Sequence, residues 1–137
     1  MFNDNFLFAF GGRNKKLQHL NLIEVYDIVR DSWKELTYAE KSEWGEGAYL
    51  CQAHQISDTE ILVFGKAQKD GGGNAAAHLL NTDSGFLRRS GYLEEGSSFT
   101  GPGVCYRDHL YFIGSRMKIH TFSIEERKWK CIDRTNT

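Results

Sequence analysis

Phe6-Leu7-Phe8-Ala9-Phe10-Gly11-Gly12 is an apolar run that stops at a glycine pair, and the chain returns to it twice. Ile61-Leu62-Val63-Phe64-Gly65-Lys66 and Leu110-Tyr111-Phe112-Ile113-Gly114-Ser115 have the same shape. Their last apolar residues, Phe10, Phe64 and Ile113, stand 54 and 49 positions apart, a period near 50. Such a period marks a repeat architecture, in which each unit buries its faces only against its neighbours. A run without apolar–polar alternation predicts a strand covered on both faces. A glycine at its end supplies the positive φ that a sharp turn requires.

A second landmark keeps the register. Tyr26 precedes Trp33 by seven residues, Phe122 precedes Trp129 by the same seven, and the two tryptophans lie 96 apart, or two periods of 48. In the middle stretch Leu80 stands for the tyrosine and Phe86, six residues on, for the tryptophan. A further strand should precede the second and third runs, over Ala48–Ala53 and Gly103–Tyr106, with turns at Ser57-Asp58-Thr59 and Arg107-Asp108. The first run has no such strand, since only five residues precede Phe6.

Together these residues resemble the kelch repeat, with its apolar run, glycine pair, tyrosine and tryptophan. The likeness is strongest in the first repeat and extends from Phe6 to Ile132; Lys66 and Ser115 replace the second glycine later on. It implies an all-β chain, a kelch-type β-propeller fragment of about three four-stranded blades. Residues 1–137 would form one kelch-repeat region, with repeats at about 6–36, 48–93 and 103–132. The structural repeat positions would be Gly11, Gly12, Tyr26, Trp33, Gly65, Phe86, Gly114, Phe122 and Trp129. Trp33 and Trp129 are expected between blades, each burying about 150–250 Å². Trp44, in a polar link between repeats, would either cover a blade edge or stand exposed as an interface aromatic.

Composition narrows the function. A net charge of −1 leaves no global field to attract nucleic acid or an anionic membrane. No apolar stretch reaches the roughly 18 residues of a membrane span, and Met1–Phe6 lacks the basic start of a secretory signal, so a cytoplasmic setting is expected. Cys51, Cys105 and Cys131 lack CxxC spacing and are expected as buried thiols. His19, His54, His78, His109 and His120 lie far apart, without partners at ligand spacing, so neither a metal nor a cofactor is expected. Gly71-Gly72-Gly73 lacks the Lys-Ser/Thr of a phosphate loop, and no nucleophile elbow or HExxH pair is present.

The kelch resemblance implies a protein–protein interaction scaffold rather than an enzyme. The resemblance also admits a segment of a propeller enzyme of oxidase or epimerase type, or the substrate-recognition part of a ubiquitin ligase. In the family, the loops joining the second strand to the third and the fourth to the next blade share the partner-binding face. Here the former carry Arg13, Lys15 and Lys16, then Lys66 and Lys69, then Arg116 and Lys118. The latter carry acidic residues and Trp44. The partner would be a protein, and self-association to complete the ring is a further expectation.

Overall fold

The computed structural model describes residues 5–18, 20, 22–36, 48–67, 75–92, 99, 102–114 and 117–132. They form three antiparallel sheets. Blade 1 holds β1 (Phe6–Phe10), β2 (Ile23–Asp27) and β3 (Ser32–Glu35). Blade 2 holds β4 (Ala48–Gln55), β5 (Glu60–Ala67), β6 (Ala75–Asn81) and β7 (Leu87–Tyr92). Blade 3 holds β8 (Val104–Tyr106), β9 (His109–Ile113), β10 (Ile119–Ser123) and β11 (Lys128–Ile132). Each sheet is a meander of sequential neighbours, the blade pattern of a propeller.

Strand pairing puts the repeat on one register. Leu7 faces Tyr26 and Tyr26 faces Trp33; Ile61 faces Leu80 and Leu80 faces Leu87; Leu110 faces Phe122 and Phe122 faces Trp129. The spacing of seven therefore holds in the middle blade as well. Leu87, fully buried, takes the tryptophan position there, and Phe86, 42% exposed, does not. A hydrogen bond repeats at the same offset. The backbone N–H groups of Ile28, Thr82 and Ile124 donate to the carbonyls of Asn5, Thr59 and Asp108 at 2.9, 2.8 and 2.8 Å.

The turn after β2, β6 and β10 repeats too. A short polar residue ends each strand and its side chain accepts backbone N–H groups that would otherwise lack partners. Asp27 accepts from Val29 and Arg30, Asn81 from Asp83 and Ser84, and Ser123 from Glu126. Four residues after the capping side chain, Asp31, Gly85 and Arg127 adopt φ of 50°, 70° and 57°.

Side chains alternate across each sheet, so each blade has a leading face toward the blade before it and a trailing face toward the next. Between blades 1 and 2 the core consists of Ile23, with Phe8, Phe10 and Leu36, against Ile61, Val63, Leu80 and Leu87. Between blades 2 and 3, Leu62, Phe64, Ala77 and Leu79 meet Leu110, Phe112 and Phe122. Trp129 closes that junction. Its ring centroid lies 5.0 Å from Phe122 and 6.0 Å from Phe64, and its indole N–H donates to the Ser90 carbonyl at 2.9 Å. Phe99, bridged to Gly114, stacks on it at 6.4 Å.

Only blade 2 has described neighbours on both faces, and the burial of the second strands records this. Ile61 to Phe64 are all buried, whereas β1 and β9 alternate between covered and exposed residues. Trp33 departs from the expected buried role for the same reason. It is 59% exposed, with its ring 5.0 Å from Tyr26, because no described element packs on the leading face of blade 1.

The glycines also divide. Gly11 and Gly12, with φ of 62° and 109°, turn the chain as the sequence predicts. At Gly65 the expected turn is absent: β5 runs through it to Ala67, with Gly65 paired to Ala76. Lys66 consequently lies in the strand rather than in a loop. Gly114 is required for space, since a Cβ there would come within 2.8 Å of the His120 ring.

Stability should separate the two tryptophans. Trp129→Ala should cost about 3 kcal/mol, as for emptying a packed aromatic site. Trp33→Ala should cost about 1 kcal/mol or less in the dilute chain, because little beyond the Tyr26 contact is lost. Urea titration of both variants checks this, and equal losses would contradict the assignment of faces.

Candidate functional site

The loop between β1 and β2 is held from within. Gly11 N–H donates to Leu22 O at 2.9 Å and Leu20 N–H to Gly12 O at 2.9 Å, which close its base. Inside, Asn14 organises the tip: its Oδ1 accepts from Lys16 and Gln18 backbone N–H at 2.9 and 3.0 Å, and its Nδ2 donates to Gln18 Oε1 at 2.8 Å. An asparagine at such a point substitutes its side chain for a backbone turn. The result is a fixed tip that presents Arg13, Lys15 and Lys16 to solvent.

Leu17 completes the tip in a way the sequence does not reveal. It adopts φ of 60° and is 72% exposed. Positive φ is uncommon for a bulky non-glycine residue, and strained residues of this kind gather at binding and catalytic sites. In the loop between β9 and β10, Met117 likewise has positive φ, 59°, and is 62% exposed, beside Lys118. That loop is closed by Gly114 N–H donating to Lys118 O at 2.8 Å. Both tips lie at the same end of their second strands, so the repeat carries two basic, apolar-tipped loops to one face of the disc. Trp44, Lys69 and Arg116 lie outside the described residues.

The opposite face carries a different cluster. Glu60, at the start of β5, receives Arg88 at 3.4 Å from its own blade and Arg127 from blade 3. Half-buried, Arg127 ties the turn of blade 3 to the strand of the blade before it. A cleft there is lined by Glu60, Leu79, Asn81, Ser84, Phe86 and Arg88. On blade 1 the Tyr26 hydroxyl donates to Asp31, which holds the phenol above its ordinary range.

Neither Cys105 nor Cys131 forms a disulfide among the described residues. Cys105 is exposed, contrary to expectation, because β8 is a three-residue edge strand. Among the described residues no group of three His, Cys, Asp or Glu side chains is placed to hold a metal ion. No helix of the described residues is long and apolar enough to cross a membrane.

Residues 4–38, which include all of blade 1, match the Kelch motif. No curated protein matches the chain.

His54 gives a pH-dependent readout of the fold. Its ring lies 5.2 Å from Phe112 and 6.0 Å from Phe64, and this burial lowers its pKa from the ordinary value of 6.5 by disfavouring the charged form. Because the unfolded chain takes up this proton more readily, the associated stability is full above the unfolded value and is lost as pH falls through the folded one. The thermal midpoint should therefore drop as pH falls below the ordinary histidine value of 6.5, and His54→Phe should flatten that dependence. An unchanged slope in the variant would contradict burial of the neutral ring.

Proposed function

We propose that this kelch-repeat protein is a protein-binding scaffold without chemistry of its own, and that it binds through the face bearing the β1–β2 and β9–β10 loops. The observation that carries this reading is the paired placement of Leu17 and Met117. Each is a large apolar side chain held in solvent at positive φ, beside lysine. The turn uses the backbone at Leu17, whose N–H donates to Asn14 O at 2.9 Å, but it does not require a large apolar side chain in solvent. A partner that covers Leu17 and Met117 recovers apolar burial, at about 25 cal/mol per Å².

The charges around the tips define the partner's chemistry. Arg13, Lys15 and Lys16 favour a protein segment with acidic residues flanking an apolar side chain, which would seat against Leu17. A long polyanion is disfavoured by the net charge of −1 over the whole chain. The family resemblance supports the same class of function, since kelch-like propellers serve most often as interaction modules.

A displayed library of peptides, each with two or more acidic residues around one leucine or phenylalanine, tests the reading. Enriched peptides should lose about tenfold in affinity with Lys15→Glu/Lys16→Glu, and a similar amount with Leu17→Ala. The charge effect should shrink as salt is raised. Arg30→Glu, in the turn on the opposite face, should leave binding unchanged. Failure to enrich such peptides, or equal losses from the Arg30 and lysine variants, would overturn the assignment.

A further inference from the structure

The junctions on the two sides of blade 2 are closed differently at one repeated position. Strand register makes Phe6, Val25 and Lys34 of blade 1 the counterparts of Glu60, Leu79 and Arg88 of blade 2. The turn that faces these residues belongs in each case to the following blade. At the junction of blades 2 and 3 that turn carries Arg127, whose guanidinium reaches across to Glu60. At the junction of blades 1 and 2 the same turn position is Gly85, with φ of 70° against 57° for Arg127. Glycine has no side chain to send across, and Phe6 has no charge to receive one.

A cavity of about 130 Å³ lies at this place. Phe6, Phe8, Val25 and Leu36 line it with apolar surface. Exposed Lys34 on β3 and exposed Asp83 on the β6–β7 turn also line it, one from each blade. An apolar cavity of roughly 150 Å³ takes one benzene ring, whereas a drug-sized molecule or cofactor needs about 300 Å³ or more. The space therefore suits a single side chain the size of phenylalanine or leucine. The opposite charges on its two walls suit a segment that brings both signs with that side chain.

We propose that this cavity is a second docking site for a partner protein segment, which inserts one phenylalanine or leucine side chain between an acidic neighbour at Lys34 and a basic neighbour at Asp83. The inserted side chain takes the place that Arg127 takes at the next junction, with Phe6 as its apolar counterpart where Arg127 has Glu60. It touches both blades, so docking also ties blade 1 to blade 2 at the point where the arginine clamp is missing. Both walls come from adjoining blades of this chain, and the surfaces at the two ends of the array take no part. The site lies on the face opposite Leu17 and Met117, so it stands or falls independently of the loop-tip face.

Amide NMR titration of the full chain with two blocked pentapeptides, Gly-Glu-Phe-Lys-Gly and Gly-Lys-Phe-Glu-Gly, one for each chain direction, tests the proposal. With the tighter of the two, shifts should concentrate at Val25, Lys34, Thr82 and Asp83. Replacing its phenylalanine by alanine should weaken binding about tenfold. Gly85→Arg, which supplies the side chain that Arg127 supplies at the next junction, should abolish binding. Arginine suits that position, because Arg127 adopts nearly the same φ. Lys34→Glu alters only an exposed side chain and keeps the test decisive if the arginine variant fails to fold. It should weaken the mixed-charge peptide about fivefold and strengthen Gly-Lys-Phe-Lys-Gly by a similar factor. No shifts at the cavity, shifts confined to Arg13–Gln18, shifts with benzene but with no peptide, or an unchanged charge preference in Lys34→Glu would each overturn the proposal.

Discussion

Face-to-face packing of consecutive sheets is the interaction on which the rest of this structure depends. A four-stranded sheet of short strands cannot bury enough surface alone, and in this chain the decisive contact is made by β5. Ile61 and Val63 fill the junction with blade 1, while Leu62 and Phe64 fill the junction with blade 3. A single strand thereby belongs to both cores. Among the described residues, its counterparts β1 and β9 each support one core, and their alternating exposure follows from that position.

The period was legible because the second strand of each blade is an apolar run and because Tyr26–Trp33 and Phe122–Trp129 share a spacing. The middle repeat was harder. Phe86 attracts attention as an aromatic, yet Leu87 preserves the spacing of seven, because the position demands a buried apolar side chain and an indole is only one way to supply it. Gly65 looked like a turn by analogy with Gly11, although backbone pairing carries β5 two residues further. The strand-end caps Asp27, Asn81 and Ser123 differ in residue type, so the sequence does not mark them as one position. Their common role emerges only when the three turns are superposed by strand register.

The candidate binding face was legible in part. Arg13, Lys15 and Lys16 could be placed on a loop from the glycine pair alone. Leu17 and Met117 could not, since nothing in the residue type signals that a leucine or methionine will take positive φ and remain in solvent. Trp33 shows the converse limit. Its residue type and spacing assign it to a junction between blades, but whether a junction is filled depends on which surfaces meet, and that information is not local to the repeat. The same indole that is cement in Trp129 is an open donor surface in Trp33.

Blades 2 and 3 are joined by specific aromatic packing in one register, and a double-mutant cycle across that junction measures it. Phe64 of blade 2 and Phe112 of blade 3 meet edge to face with centroids 5.0 Å apart. Urea denaturation of Phe64→Leu, Phe112→Leu and the double variant should give a coupling energy of about 1 kcal/mol. Additive losses, with no coupling, would mean that the two rings do not meet across the junction and that the blade register described above is wrong.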